Sequence, residues 1–444
     1  MRFATSSTLG RGRSNRPNSL PTNFVEGEQI LIEAPLTGIR VLAMEQAVAL
    51  PVATRHLADM GAEVIRVQSH ARLMPGLAAI DLTRNKRQLA LDLSVPGASD
   101  AFLRVAAKCD VVAHNYTPRV VRQFGIDFAG VRAVKPDIIY VSLTGFGTTG
   151  PWGERPLFGP GAEAVSGHNV LIGDADGWPG RPGTVVYSDT TCGLNAAFAV
   201  IAAIEERDRT GQGQHIDISL YETAVAQLGP VMVEAQLGAI PRRIGNADAN
   251  FAIHGVFACK GLDRHIAVAV RSDQTAALAD LLGLAEVTGE AFADAVRNRD
   301  AGEVAELLQG RGIAATLVAD AGDIASDPQL WARGYFGLVE RHLVGMEGTF
   351  PHMGPAWGNG PAVEMEEARA VGADSAEILG ELGGYSTREI EELFARGISG
   401  SPAPATIPRG LGSEQIRIAR GELSRVDAKH DGWRAAARAT GKLP

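Results

Sequence analysis

Cysteine is scarce in this chain of 444 residues, which contains three: Cys109, Cys192 and Cys259. Three cysteines at such wide spacing form neither a disulfide framework nor a metal-binding motif. No cluster of His, Cys, Asp and Glu shows metal-ligand spacing either, so no metal site is expected. A reducing compartment is the simplest interpretation, and we expect the protein in the cytoplasm.

Long apolar runs and an excess of basic residues are also missing. No run is long enough to span a bilayer, so no membrane association is expected. The formal net charge of −9 argues against nonspecific binding of nucleic acid. Hydrophobic content of 45% and charged content of 21% describe a globular protein with a sizeable core. The length predicts two or three domains.

Acidic residues are absent from the first 24 residues, which carry four arginines. An organellar transit peptide has this composition, but a disordered extension has it too and is favoured. At the other end, the residues after Ile398 are typical of a linker and lead into a charged, helix-like segment at 412–441.

Short apolar runs alternate with helical patterns between residues 38 and 143. Strands are predicted at 39–44, 63–67, 110–113 and 138–143, with helices at 51–60, 97–108 and 119–124. This alternation predicts βαβ units and a mostly parallel sheet. Ligands of such sheets bind beyond the carboxyl ends of the strands, here residues 45–50, 68–72, 114–118 and 144–151.

A second region, 246–333, predicts a smaller α+β domain. Strands are expected at 255–259, 265–270 and 314–318, and helices at 274–282 and 301–309. The chain after residue 333 is expected to return to the first domain.

Residues 145–150 read Gly-Phe-Gly-Thr-Thr-Gly and match a dinucleotide-binding fingerprint. The next residues are Pro151, Trp152 and Gly153, so no helix begins where a pyrophosphate would need its N-terminus. The first predicted strand-to-helix turn, 45–50, contains no glycine. We therefore reject a nicotinamide site.

Three other groups of residues have two interpretations each. The basic run 84–87 (RNKR) could meet phosphates or form an exposed turn. Asn115 could bind an adenine or ribose and Tyr116 could stack on a base, or both could belong to an ordinary turn. Cys192 and His168 could form a nucleophile and its base, but a small packed residue is the better interpretation of Cys192.

Asp189 lies at the N-terminal end of a predicted helix. Residues 187–193 (YSDTTCG) follow an extended segment at 184–187 and precede a helical run at 194–207, a glycine turn at 210–214 and a strand at 215–220. A helix N-terminus favours negative charge, so a carboxylate with a pKa near ~3.9 would be ionised and available as a nucleophile. An aspartate there can instead be an N-cap, and the local sequence alone favours that interpretation.

Taken together, these stretches resemble the class III (CaiB/BaiF-type) CoA-transferases, the family of formyl-CoA and carnitine CoA-transferases. The resemblance extends over residues 35 to 398. The matching stretches are 35–42 (PLTGIRVL), 57–67 (LADMGAEVIRV), 85–87 (NKR), 91–93 (LDL), 110–112 (DVV), 115–116 (NY), 142–151 (SLTGFGTTGP), Asp189 with Gly193, 209–214 (RTGQGQ), 243–246 (RIGN) and 327–330 (DPQL).

The resemblance implies an α/β fold: a Rossmann-like large domain with a parallel sheet, a smaller α+β domain, and an interlocked homodimer. It divides the chain into an extension (1–34), the large domain (35–225), a linker (226–245), the small domain (246–333), a return to the large domain (334–398) and a C-terminal extension (399–444).

The resemblance also implies the chemistry. Asp189 would be the covalent nucleophile that passes CoA from an acyl-CoA thioester to a carboxylic acid, with no permanently bound cofactor. Residues expected to contact CoA are Val48, Ala49, Leu91, Asn115, Tyr116, Arg122, Thr144, Gly145, Phe146 and Gly147. This chain departs from the family pattern at Leu50 and at residues 68–70.

Alternatives on the same fold are an acyl-CoA racemase, a CoA-ester isomerase and a CoA-binding paralogue without turnover. The histidine that racemases use would fall at about Phe158, which cannot move a proton. The sequence does not identify the acyl donor or the acceptor acid.

Overall fold

The computed structural model describes residues 34–70, 81–181, 186–342, 348–354, 364–400, 418–421 and 432–443. The expectations for the N-terminal extension, for the linker after Ile398 and for most of the segment 412–441 lie outside these residues. Within them, no helix is long and apolar enough to cross a membrane.

A six-stranded sheet is the largest sheet in the described part of the chain. Its strands are β1 (Arg40–Met44), β2 (Glu63–Gln68), β3 (Lys86–Ala90), β4 (Val111–His114), β5 (Ile139–Thr144) and β6 (His215–Ser219). All five pairings are parallel, and the order is β3-β2-β1-β4-β5-β6. This is the strand order of the doubly wound dinucleotide-binding folds, whose ligands bind where the order reverses, here between β1 and β4. The predicted parallel sheet is confirmed.

Helices surround this sheet and the smaller sheets. They are α1 (Ala49–Asp59), α2 (Ala98–Ala106), α3 (Pro118–Gln123), α4 (Phe128–Val134), α5 (Gly159–Val165), α6 (His168–Leu171), α7 (Tyr187–Thr210), α8 (Leu220–Ala226), α9 (Gly229–Gln236), α10 (Thr275–Leu282), α11 (Gly289–Val296), α12 (Ala301–Gln309), α13 (Ala321–Ala325), α14 (Pro328–Ala332), α15 (Ser375–Glu381), α16 (Thr387–Ala395) and α17 (Gly432–Ala439).

Both faces of the central sheet are covered. On one face α1 and α7 pack closely, because Gly193 has no side chain: a Cβ there would lie 2.5 Å from the Ala49 carbonyl oxygen. On the other face α2 packs with α15 and α16, which the chain supplies after residue 333. Asp374 and Ser375 bind the edge strand directly, accepting the backbone N–H groups of Gln88 at 2.7 Å and Ala90 at 3.0 Å.

A smaller antiparallel sheet contains β7 (Ile253–Ala258), β8 (His265–Val270) and β9 (Ala314–Leu317) in that order. Its apolar core includes residues of α10, α11 and α12, among them Leu278, Phe292 and Leu308. The strands and helices predicted for this region are confirmed. The predicted domain boundaries themselves stay predictions.

An antiparallel pair of strands, β10 (Phe336–Arg341) and β11 (Gly348–Met353), lies next in the chain. Near its start, Trp331 of α14 stacks on Trp433 of α17 with ring centroids 6.5 Å apart. Part of the segment after residue 412 is thus the amphipathic helix α17, which packs on α13 and α14.

In the basic run 84–87, residues 84 and 85 form a turn, but none of the four residues is exposed, so the exposed-turn prediction is wrong. Each of the three cations pairs with a carboxylate, which does not support the phosphate interpretation. Lys86 begins β3, and its ammonium group donates to Glu45 and Thr54, each at 2.7 Å. Arg84 pairs with Asp59 at 2.6 Å. Both basic side chains are buried because two acids neutralise them, Glu45 directly after β1 and Asp59 of α1.

Candidate active site

Asp189 is the third residue of α7 and lies in its first turn. The helix begins at Tyr187, so the prediction of an extended segment is wrong for that residue, while residues 184 and 185 lie outside the described part. The N-cap is Val186, not Asp189, so the capping alternative is wrong too. The Asp189 side chain instead lines a cavity at the carboxyl ends of the central strands.

Burial is the main reason that the pKa of Asp189 rises from 3.8 to about 6, and the charge of Glu163 is the second. The residue is 6% exposed. The sequence predicts an ordinary pKa because the helix N-terminus favours a carboxylate, and that prediction is wrong since water is largely excluded here. The carboxylate is still about nine-tenths ionised at pH 7, since each pKa unit is a factor of ten.

Glu163 of α5 takes the place of an N-cap for α7. Its carboxylate is fully buried and accepts the backbone N–H of Tyr187 at 2.8 Å and of Ser188 at 3.5 Å. Arg181 donates to its second oxygen at 3.2 Å. The positive end of α7 is thus already neutralised by a carboxylate other than Asp189.

Gly159 lies directly against the Asp189 carboxylate. A Cβ at position 159 would lie 2.3 Å from Asp189 Oδ2 and 2.0 Å from Val186 Cγ1. Only glycine permits this approach of α5 to the first turn of α7.

The cavity that contains Asp189 has a volume of about 210 Å³. It lies at the carboxyl ends of β1, β4, β5 and β6, across the point where the strand order reverses. Its lining residues are Gln46, Ala47, Ala49, Asn115, Tyr116, Thr117, Val120, Leu143, Thr144, Gly145, Arg155, Pro156, Leu157, Phe158, Asp189 and Leu220.

A second cavity, of about 400 Å³, continues along the sheet edge towards β2 and β3. It shares Gln46, Tyr116 and Val120 with the first cavity. Its other lining residues are Met44, Val67, Gln68, Ser69, Leu91, Asp92, Leu93, Ser94, Val121, Gln123, Phe124 and Ile126. The two cavities together form one groove that leads to Asp189.

The turn between β1 and α1 is held by Asn115. The Asn115 side chain accepts the Gln46 N–H at 2.9 Å and donates to the Gln46 carbonyl at 2.7 Å. The Gln46 amide in turn donates to the Tyr116 hydroxyl at 2.8 Å. Ala47 adopts a left-handed backbone with φ of 54° and lines the cavity, so a strained alanine stands where glycine would be expected.

The structure brings six of the predicted CoA contacts into the groove: Ala49, Leu91, Asn115, Tyr116, Thr144 and Gly145. Val48 is adjacent, as the N-cap of α1. Phe146 packs on Trp152, with ring centroids 5.2 Å apart, instead of lining the groove.

Gly147 lies near Asp217, and Arg122 pairs with Glu154. Neither is among the described residues that line the groove.

Cys192 and His168 do not behave as a nucleophile and its base. Cys192 is fully buried, and burial raises the pKa of its thiol to about 12. His168 hydrogen-bonds to the Ser166 hydroxyl at 3.0 Å. The packed interpretation of Cys192 agrees with these contacts.

Sequence reasoning missed several residues of the groove and its surroundings, chiefly Gln46, Arg155, Leu157 and Glu163. Arg155 is the one lysine or arginine among the described residues that line the two cavities. It lies next to the stretch 142–151 in the chain, and its basic character was the available signal. Nothing in the local sequence marks Glu163.

Comparison with known proteins identifies the family. The family model of CoA-transferase family III matches residues 36–374. Succinyl-CoA:glutarate CoA-transferase of Mus musculus is 30% identical, over 82% of this chain and 90% of the relative. The beta subunit of succinyl-CoA–L-malate CoA-transferase of Chloroflexus aurantiacus is 28% identical, over 82% of this chain and 97% of the relative.

A solved structure of a CaiB/BaiF family protein from Brucella suis superimposes with a TM-score of 0.70. It is 25% identical, and the match covers 79% of this chain and 100% of that one. The chain therefore belongs to CoA-transferase family III, and it is an enzyme of the CoA-transferase class.

Proposed function

We propose that this protein transfers CoA from a short dicarboxylic acyl-CoA to a second carboxylic acid, with Asp189 as the covalent nucleophile. The observation that carries the proposal is the position of Asp189: a buried carboxylate that lines the smaller cavity of a groove along the sheet edge. A family III fold supplies the class of reaction.

The reaction takes four steps and leaves the aspartate unchanged. An Asp189 oxygen attacks the thioester carbonyl carbon, the C–S bond breaks, and CoA thiolate leaves behind an acyl–aspartyl anhydride. The thiolate then attacks the Asp189 carbonyl carbon and releases the donor acid, which gives an aspartyl-CoA thioester. The acceptor carboxylate attacks this thioester to form a second anhydride, and the thiolate takes the new acyl group. Exclusion of water protects these intermediates from hydrolysis.

CoA would lie along the groove. The apolar wall of the larger cavity, with Leu91, Val121 and Phe124, suits a base. The pantetheine arm would pass Tyr116 and Gln46, which both cavities share, and bring the thioester to Asp189. Arg155 is the cation in the groove best placed to meet a phosphate or a substrate carboxylate.

The substrate class rests on the relatives. Two of them are named for succinyl-CoA as donor, with glutarate or L-malate as acceptor. The cavity of about 210 Å³ around Asp189 has the size for a short acyl chain. Succinyl-CoA with glutarate or L-malate is therefore the first pair to test.

The racemase alternative is disfavoured by Phe158. The phenyl ring lines the Asp189 cavity, so the position expected for a proton-transferring histidine faces the site and cannot do that work. An isomerase would retain Asp189 and differs only in using one molecule as both donor and acceptor.

We also propose an interlocked homodimer. Helix α9, inside the predicted linker 226–245, buries no side chain within one chain. Leu237, Ile240 and Trp178 are each more than 80% exposed, at 82%, 93% and 91%. Exposed apolar surface of this extent marks an interface. Light scattering of the purified protein should give twice the mass of one chain.

The decisive experiment combines mass spectrometry with a transfer assay. After incubation with succinyl-CoA, CoA should be attached covalently to Asp189, and glutarate or L-malate should become the new thioester. Asp189→Asn should show neither adduct nor transfer. Transfer that survives this substitution would refute the mechanism, and loss of an α-hydrogen to deuterated solvent without CoA exchange would indicate a racemase.

A further inference from the structure

Glu163 is a buried acid that the reaction does not consume. It is 0% exposed, it lies on α5, and its oxygens accept N–H groups of Tyr187, Ser188 and Arg181. The two backbone donors belong to the same helical turn as Asp189. A buried charge requires such partners, and here two of the partners are backbone groups that position Asp189.

We propose that Glu163 is a positioning residue for CoA transfer: its carboxylate fixes the first turn of α7, and its charge strengthens Asp189 as a nucleophile. The inference rests on the proposed role of Asp189. A helix N-terminus by itself favours a weakly basic, stable carboxylate. Glu163 offsets that effect because it occupies the first N–H groups and places a second negative charge close to Asp189.

The electrostatic direction agrees with this arrangement. The charge of Glu163 is the second cause, after burial, of the raised pKa of Asp189. A more basic carboxylate is a better nucleophile as long as it is still ionised at the working pH. Arg181, which is 42% exposed along its side chain, opposes Glu163 by pairing with it.

Arg155 is a charged residue that lines the same cavity as Asp189, but it is not a cause of the shifted pKa of that carboxyl, whose two causes are burial and Glu163. Ala49 of α1 and Leu220 of α8 line the cavity and are uncharged. His168 of α6 lies against the Tyr187 ring at 5.7 Å, and burial lowers its pKa, which keeps it neutral. On α7 itself, Cys192 keeps its proton because burial raises its pKa to about 12.

Two substitutions should move the titration of Asp189 in opposite directions. Glu163→Gln keeps an oxygen for the Tyr187 N–H and removes the charge, so Asp189 should titrate about one pH unit lower. Arg181→Gln leaves the Glu163 charge unopposed, so Asp189 should titrate higher. A merely structural role for Glu163 would not produce shifts of opposite sign.

The titration can be read without substrate, by carbon NMR of protein labelled at the aspartate carboxyl carbons. Asp189→Asn identifies the Asp189 signal, and circular dichroism checks that each variant is folded. Unchanged titration in both variants, or shifts in the same direction, would overturn the inference.

The transfer assay supplies the second readout. The acid limb of the kcat profile should follow the NMR shift in each variant, with a lower plateau for Glu163→Gln. Transfer activity with an unmoved acid limb would refute the role of Glu163 and leave the proposed function standing. Opposite NMR shifts in a protein that transfers no CoA would support the effect of Glu163 on Asp189 and refute the proposed function.

Discussion

Burying the Asp189 carboxylate should cost folding free energy, and the cost should depend on pH. In the folded protein its pKa is about 6, against 3.8 as the ordinary value. The unfolded chain therefore loses this proton at lower pH than the folded chain does, and stability falls as the pH rises from about 4 to about 6. Above pH 6 the cost is constant. A difference of about two pKa units corresponds to about 3 kcal/mol.

Asp189→Asn removes the titration and should recover this free energy at neutral pH. The quantity to measure is the Tm of the variant minus the Tm of the wild type. We expect this difference to be about 2–4 °C larger at pH 7.5 than at pH 4. Thermal melts followed by circular dichroism across this range, at one protein concentration, measure the effect. The comparison between pH values cancels any loss that the amide causes at all pH values.

Glu389→Gln is the matched control with the opposite sign. Glu389 receives the Ser386 backbone N–H and hydroxyl, both at 2.8 Å, and these hydrogen bonds lower its pKa. Its charge stabilises the fold above the unfolded pKa, so the substitution should lower the Tm at neutral pH and have no effect in acid. If the Asp189→Asn difference did not grow between pH 4 and pH 6, the burial argument for the nucleophile would be wrong.

Two further substitutions test the packing of the site. Gly159→Ala places a Cβ 2.3 Å from Asp189 Oδ2 and should lower kcat/KM roughly 100-fold. The control is Gly289→Ala, also at the first residue of a helix, where the nearest contact of a Cβ is at 3.9 Å and transfer should be unchanged. Equal activity of the two variants would contradict the close approach of Gly159 to Asp189. Lys86→Met leaves Glu45 buried with one cation fewer and should lower the free energy of unfolding in urea by about 3 kcal/mol. The double variant Lys86→Met/Glu45→Gln should lose less free energy than the two single variants together. Strictly additive losses would contradict the ion pair.

The sequence predicts the central sheet well because its strands are apolar runs of the expected length. It misses β3, whose first three residues are Lys86, Arg87 and Gln88. A strand that begins with charges is predicted as a turn unless the partner of the charges is known. That partner, Glu45, lies 41 residues earlier in the chain.

The candidate site, like the central sheet, can be predicted from the sequence only in part. Asp189 and six groove residues follow from the resemblance to the family, and five of the six lie at or just after the carboxyl end of a strand. Asn115 is among the predicted contacts, but the hydrogen bonds that join it to Gln46 connect residues 69 positions apart. Local patterns do not contain pairings of that kind.

The electrostatic state of Asp189 shows why position alone does not define a nucleophile. The helix N-terminus is the one influence that the sequence reveals, and it acts to lower the pKa. Burial and Glu163 act in the other direction and prevail. A carboxylate with an ordinary pKa would be ionised but weakly nucleophilic, and one with a pKa well above 7 would be protonated in most molecules. A pKa of about 6 lies between these limits, because the carboxylate is then mostly ionised at neutral pH and more basic than in water. In the proposed mechanism the groove binds CoA, and burial together with Glu163 sets the reactivity of Asp189.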